Sequence, residues 1–101
     1  MTDTAETAAS GETLTHGLIV PITVDGKAVT HLTLTEPDVA GMLAAATIGG
    51  GDAAREMAAQ HAVACGLSFP DFMKIKARDM SVIMKLCQRW FGAGNGSGSG
   101  S

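Results

Sequence analysis

At 101 residues the chain has room for a single domain, and its hydrophobic share of 46% is enough for a core. Its 7 basic and 10 acidic residues give a net charge of −3, and the basic residues are scattered. A nucleic-acid binder usually gathers basic residues on one face, so that function is disfavoured. No stretch approaches the ~20 consecutive apolar residues that a membrane span needs, so we expect no membrane partner.

The two ends of the chain differ in composition from its middle. Residues 1–15 are small and polar without hydrophobic periodicity, which predicts a disordered leader. This leader has neither the basic start nor the apolar run of a signal peptide, so we expect a cytoplasmic protein. Residues 92–101 alternate Gly with small residues and predict a flexible Gly/Ser-rich tail. Residues 16–91 predict one α+β domain, a β-hairpin followed by three to four short α-helices.

The domain is predicted to begin with the hairpin. Residues 18–24 alternate as a strand does, and Asp25-Gly26 is a strong turn signal before a second strand that ends near Leu34. A two-residue loop would turn Leu32 and Leu34 away from the apolar face of the first strand. A loop one residue longer brings them onto that face. The hydrophobic pattern therefore predicts a turn with Gly26 in the left-handed position of a G1 bulge.

The first helix is predicted to begin at Thr35, because Asp38 three residues later completes an arrangement like a capping box. The glycines from Gly49 onward end it. Its larger apolar residues recur at helical spacing, and this spacing predicts the face that packs on the core: Val39, Met42, Leu43 and Ala46.

Three further helices are predicted. Asp52 can cap a helix over residues 53–65, and the glycine that follows is a typical stop signal. Ser68 can cap a short helix that ends near Ile75. The last helix is predicted from about residue 78 to 91, and its apolar stripe is wider than one small core needs.

Residue types that carry chemistry are few. None of the three histidines has a catalytic motif around it, so we expect no enzyme. His61 and Cys65 share a helix face at a spacing that suits two metal ligands, with Cys87 as the only obvious third. A metal-dependent or thiol enzyme is the less favoured alternative here. Two reduced, buried thiols with no metal and no cofactor are favoured.

The methionines and two aromatic residues suggest where a partner binds. Five of the six methionines lie in the helical half, either as flexible core filler or as an adaptable binding groove. The aromatic pair at the end of the last helix can either seal the core or anchor a partner. From the excess width of the apolar stripe, we hypothesise that four residues help to line a groove: Met80, Met84, Trp90 and Phe91.

Short motifs along the chain, taken in order, resemble one known family. Residues 22–27 read Ile-Thr-Val-Asp-Gly-Lys, and residues 32–37 read Leu-Thr-Leu-Thr-Glu-Pro. Together they resemble the opening of the phage tail assembly chaperones of contractile-tailed phages, the E / 41 / 14 group. Residues 66–68, Gly-Leu-Ser, followed by Asp71, and later Asp79 in the last helix, resemble the family's G-L-S-x-x-D and its later acidic position.

The resemblance covers residues 18–91 and includes departures from the family pattern. Thr35 stands where arginine is common, and Phe69-Pro70 replaces the usual Pro-Glu order. The link that carries Lys74 and Lys76 is more basic than expected.

The resemblance implies a chaperone of a phage or prophage. Such a protein binds the long, hydrophobic tape measure protein in the host cytoplasm and keeps it soluble until tail tube subunits polymerise around it. It is then absent from the mature virion. A second copy, or a longer form made by translational frameshift, is a further candidate partner. The alternative is a small non-enzymatic phage structural or regulatory module, such as a tail-completion subunit or an antitoxin-like protein. Gene order discriminates, because the chaperone gene should lie between the tail tube gene and a very long tape measure gene.

Overall fold

A computed structural model describes residues 12–100, with side chains over residues 12–91. Two antiparallel strands come first and four helices follow, which confirms the predicted α+β class. None of the described helices combines the length and apolar character needed for a membrane span. The elements in chain order are β1 (Thr13–Val24), β2 (Lys27–Thr35), α1 (Val39–Gly49), α2 (Ala53–Cys65), α3 (Phe69–Phe72) and α4 (Ala77–Gly100).

The structure bears differently on the predicted leader and on the predicted tail. Most of the predicted leader lies outside the described residues, but β1 already begins at Thr13, within residues 1–15. The bounds of α4 reach Gly100 and so enter the predicted tail, 92–101, where no side chain is described. The domain boundaries therefore stay predictions.

The hairpin turn is shorter than predicted. Val24 pairs directly with Lys27, so the loop contains only Asp25 and Gly26. Both have positive φ, 52° and 78°, which is the backbone of a type I′ turn and matches the twist of the flanking strands. The G1 bulge predicted at Gly26 is wrong.

An irregularity interrupts the strand pairing in the middle of β1. Gly17 pairs with His31 and Ile22 pairs with Val29, so residues 18–21 of β1 lie opposite a single residue of β2. Ile22, Leu32 and Leu34 are all buried.

The core lies between the hairpin and the helices. Leu32 and Leu34 of β2 meet small residues of α2, which allow a close approach. Phe72 of α3 and Ile83 of α4 are buried in the same cluster. Its buried members are Leu32, Leu34, Ala62, Ala64, Cys65, Phe72, Ile83 and Cys87.

Helix α1 packs on a face different from the one predicted. Ala45 and Gly49 are its buried residues, whereas Val39 and Leu43 are 75% and 65% exposed. Its cap also differs, since β2 runs to Thr35 and the side chain of Asp38 accepts the hydrogen bond from the Gly41 amide. The small residues let α1 approach α2 closely, and this contact decides which side of α1 faces inward.

The remaining helix ends agree with the sequence in most respects. Asp52 caps α2, and Gly66 ends it in the left-handed conformation, as predicted. Ser68 caps α3, but that helix ends at Phe72, three residues before Ile75. The extra backbone bonds that follow, such as Ile75 N–H to the Phe72 carbonyl, form turns rather than a continued helix.

A buried carboxylate ties the irregular part of β1 to α4. Asp79 is fully buried and accepts hydrogen bonds from the Ile19 and Val20 amides at 2.8 and 3.0 Å. His16 Nε2 donates a third at 2.9 Å. Backbone amides that leave the strand ladder must find another acceptor, because an unpaired buried amide is costly. Asp79 thus accepts hydrogen bonds from two backbone amides in the segment where β1 leaves its regular pairing with β2.

Candidate functional site

A cleft lies between α2 and α4 on the described surface. It has a volume of about 380 Å³, within the range of typical ligand sites. Helix α2 contributes Met57, Gln60 and His61, because these side chains share the face next to α4. Helix α4 contributes Met84, Lys85, Gln88 and Phe91.

The floor of the cleft is apolar and held in place by His61. This side chain is only 4% exposed, and its Nδ1–H donates to the Met57 carbonyl at 2.8 Å. Its ring lies edge-to-face against Phe91, with centroids 5.0 Å apart. Burial lowers the pKa of His61, only partly opposed by the bond to Met57. His61 is therefore a neutral ring at neutral pH and supports the floor without adding charge.

The rim of the cleft is polar. Lys85 and Gln88 are exposed and Gln60 is half-buried. Lys85 forms no ion pair with any residue over 12–91. An apolar floor with a polar rim suits an amphipathic helix laid into a groove, with apolar side chains inward and polar ones at the edge.

A second, smaller hollow continues this surface. It has a volume of about 150 Å³ and is entirely apolar in its lining side chains. Ala58, which follows Met57 in α2, and Met80, one turn before Met84 in α4, place it next to the cleft. The other lining residues are Phe72, Met73 and Ile75. The smaller hollow therefore shares α2 and α4 with the cleft and is completed by the end of α3 and the turn that follows it.

The four residues predicted to line a groove lie in three places. Met84, 41% exposed, and Phe91 line the cleft, while Met80 lines the smaller hollow. Trp90 lines neither, because its Nε1–H donates to Glu12 at 3.0 Å and its ring packs against the core. A 100° turn per residue puts positions 80, 84 and 91 on one face of α4 and position 90 about 100° from the centre of that face.

Glu12, which directly precedes β1, forms hydrogen bonds with residues near the end of the part of α4 whose side chains are described. Trp90 and Arg89 both donate to its carboxylate, and Arg89 also forms an ion pair with it. Hydrogen bonds from Trp90 and then Arg89 lower the pKa of Glu12. Trp90 therefore has a structural contact that spacing alone did not reveal.

The thiols and histidines do not assemble into a reactive centre. Cys65 and Cys87 are buried free cysteines, and burial raises their pKa to about 12 and about 11. At neutral pH such thiols are protonated and poorly nucleophilic. Over residues 12–91, no three His, Cys, Asp or Glu side chains are grouped so as to hold a metal ion. The structure thus gives no geometric support to the alternative built on His61, Cys65 and Cys87.

The sequence did not lead us to predict the residues of α2 that line the cleft. Met57, Gln60 and His61 follow one another at the spacing of a single helix face, which was a visible signal. It was missed because the alanine-rich sequence of α2 shows no wide apolar stripe. The outward face of α1, with Val39 and Leu43, was also missed because these residues were assigned to the core.

Comparison with known proteins gives one match. A family model described as "Phage tail assembly chaperone proteins, E, or 41 or 14" matches residues 15–92. These residues include the whole turn and bulge of the hairpin and every side chain that lines the cleft. Searches of curated proteins and of solved structures gave no match.

Proposed function

The chain belongs to the phage tail assembly chaperone family, and on that premise we propose that it binds the tape measure protein. In this proposal a helical, apolar segment of the tape measure protein lies in the cleft between α2 and α4. The chaperone keeps that protein soluble in the host cytoplasm until tail tube subunits enclose it, and it is absent from the mature virion. The observation that carries the proposal is the methionine-lined cleft with its polar rim.

The side chains of the cleft suit a partner that presents varied apolar residues along its length. Met57 and Met84 are 36% and 41% exposed, so they can change rotamer without disturbing the core. Methionine is flexible and polarisable and adapts to different apolar shapes. Phe91 adds a rigid ring at one end, held by His61. A chaperone that must hold several similar helical segments needs such an adaptable surface.

The affinity of one cleft should be modest. The cleft and the smaller hollow together offer a short groove, and association costs several kcal/mol of lost freedom before any net gain. A dissociation constant of about 1 μM corresponds to about 8 kcal/mol, which a few buried apolar anchors can supply. Modest affinity fits a partner that must be released as the tube grows.

A charge placed in the cleft tests the proposal. The tape measure protein is co-expressed with the wild type or with Met84→Glu, and we measure its soluble fraction and the amount recovered with the tagged chaperone. Met84→Glu is expected to reduce recovery on the order of tenfold, because a carboxylate would be desolvated against an apolar partner.

The matched control is Ser81→Glu, which adds the same charge to an exposed position of the same helix outside the cleft. It should bind as the wild type does. Circular dichroism shows whether each variant is folded. Equal recovery with folded Met84→Glu and with the wild type would rule out the cleft as the binding site.

A further inference from the structure

Helix α2 carries a buried side chain that has one polar atom without a partner. His61 is 4% exposed and lines the cleft between α2 and α4. Within the described residues its ring makes one hydrogen bond, from Nδ1 to the Met57 carbonyl at 2.8 Å. A carbonyl oxygen can only accept, so Nδ1 carries the proton of the neutral ring and Nε2 keeps a lone pair. No donor from residues 12–91 reaches that lone pair.

The unpartnered nitrogen points away from the backbone of α2. Hydrogen bonds to Nδ1 and to Nε2 leave an imidazole ring in nearly opposite directions, and Nδ1 is turned back to a carbonyl of its own helix. Phe91 holds the ring from a second side, with 63° between the two ring planes. These two contacts fix the orientation of His61. Since the ring lines the cleft, Nε2 is a fixed hydrogen-bond acceptor at the cleft floor.

An occupant that is apolar throughout would leave this acceptor without a donor. In the open cleft water can donate to Nε2, and an occupant that fills the cleft displaces that water. A buried acceptor that loses its donor weakens binding by about tenfold or more. The cleft therefore favours an occupant that has a hydrogen-bond donor among its apolar side chains.

We propose that each tape measure segment held in the cleft places a serine or threonine hydroxyl against His61, and that this hydroxyl donates to Nε2. The inference rests on the proposed function and adds the chemistry that selects one apolar segment over another. A hydroxyl is the smallest uncharged donor, whereas a carboxamide would also bury a carbonyl oxygen that needs a donor of its own. A cationic donor is disfavoured, because Lys85 at the rim repels a second cation and the apolar floor does not solvate it.

The test uses synthetic peptides that tile the tape measure protein, each of about 20 residues or about five helical turns. They are titrated by calorimetry into the purified wild-type chain. The peptides that bind most tightly should contain a serine or threonine flanked by apolar residues at helical spacing. Replacement of that serine by alanine, or of that threonine by valine, should weaken binding to the wild type about tenfold.

A double-mutant cycle assigns this effect to His61. The variant His61→Phe keeps an aromatic ring beside Phe91 but has no Nε2, so the same peptide change should alter its binding by less than about twofold. The matched control is Gln88→Ala, which removes a polar group from the rim of the same cleft, and here the tenfold effect should persist. Circular dichroism shows whether each variant is folded.

A second measurement needs no variant of the chaperone. By NMR of the wild type, the Nε2 resonance of His61 should lie further upfield in the complex with the parent peptide than in the complex with the peptide that lacks the hydroxyl. This is the direction expected for a ring nitrogen that accepts a hydrogen bond. Identical Nε2 resonances in the two complexes would overturn the inference even if His61→Phe does not fold.

The outcomes separate this inference from the proposed function. If peptides bind the wild type but not Met84→Glu, and removal of the hydroxyl changes nothing, the cleft is the tape measure site and the inference is overturned. An equal loss in the wild type and in folded His61→Phe would also overturn it, because the hydroxyl then acts elsewhere. Binding of the intact tape measure protein without any binding peptide would do the same, since recognition would not lie in short segments. If neither the peptides nor the intact protein bind, the proposed function itself fails.

Discussion

Asp79 joins the two halves of the fold through one side chain. Burial raises the pKa of this carboxyl, but bonds from the Ile19 and Val20 amides and from His16 lower it by more, so the net pKa is below the usual aspartate value. Asp79 is thus kept ionised although it is fully buried. All of its bonds go to β1, and none reaches the cleft, so its role is structural.

Replacement of Asp79 should destabilise the whole domain. In Asp79→Asn one of the two acceptor oxygens becomes an NH2 group, which faces either the Val20 amide or the Ile19 amide and His16 as a donor against donors. We expect a loss of about 2–4 kcal/mol in the free energy of unfolding, measured by urea denaturation at pH 7. Glu36→Gln, at an exposed position, should change it by less than about 0.5 kcal/mol. A loss below about 1 kcal/mol for Asp79→Asn would contradict this role.

The same carboxylate should contribute to the acid sensitivity of the fold. Its pKa is lowered on folding, so its stabilisation is fully present above the ordinary aspartate pKa of about 3.9 and is lost as pH falls through the folded value. Urea midpoints between about pH 5 and pH 2 should therefore fall less steeply for Asp79→Asn than for the wild type. Parallel curves would show that Asp79 has the same pKa in both states.

At the scale of residues, the sequence could indicate the type of a side chain but not its neighbours. Met84 and Phe91 were predicted from their spacing and do line one cleft. Trp90 was predicted on equal grounds, yet its indole is bonded to Glu12, 78 residues away in the chain. Asp79 was noted as an acidic position that resembles the family pattern. Its burial depends on the irregular segment of β1, and no local sequence pattern predicts that irregularity.

At the scale of elements, the hairpin shows why correctly predicted buried residues can come with a wrong register. Ile22, Leu32 and Leu34, which the alternation assigned to one apolar face, are all buried, but the turn that was predicted to join them is not the one observed. Asp25-Gly26 is the standard pair for a two-residue type I′ loop, and the structure uses it as such. The two-residue turn and the hydrophobic alternation favour different strand registers. The irregular segment of β1 that separates the two registers includes Pro21, which has no amide hydrogen to donate to the strand ladder.

The orientation of α1 could not be read from periodicity. The helix has apolar residues on all sides and no charge to mark the solvent face. The larger residues were therefore assigned to the core by size. Close approach to α2 reversed that choice, because only a face without bulky side chains can fit against Glu56 and Val63.

An alanine at Gly49 should reveal this close approach. Alanine favours a helix over glycine by about 1 kcal/mol, but here its Cβ would lie 2.6 Å from the Glu56 Cβ and 2.9 Å from its backbone Cα. Because backbone cannot move aside easily, we expect Gly49→Ala to lower the free energy of unfolding by about 1–3 kcal/mol.

Gly41→Ala is the matched comparison for this prediction. Its Cβ would come too close only to the Val63 side chain, at 2.9 Å, because its next neighbours lie at an ordinary 3.5 Å. A side chain can shift more easily than a backbone. Urea denaturation should rank Gly41→Ala as the milder change. The opposite order, or a gain of stability for Gly49→Ala, would show that the two helices are less closely packed.

At the scale of the whole molecule, α2 packs against β2 and against each of the other three helices. Ala62 and Cys65 face the core, Glu56 and Val63 face α1, and Met57 faces the cleft. A helix rich in alanine can pack against several neighbours because small side chains let each of them come close. The proposed tape measure site and the exposed face of α1 therefore lie on opposite sides of one helix.

This arrangement predicts that α1 unfolds locally at a lower free energy than α4. Helix α1 has no residue in the core cluster and packs mainly on α2, whereas α4 contributes Ile83 and Cys87 to that cluster. Elements with few buried apolar contacts open at lower free energy than the global transition. Hydrogen exchange should show α1 amides exchanging at least ~10-fold faster than central α4 amides, a difference of about 1.4 kcal/mol. Leu43→Glu should leave this ratio unchanged, since that side chain is 65% exposed. Equal protection of α1 and α4 would mean that α1 belongs to the global folding unit, although none of its residues belongs to the core cluster.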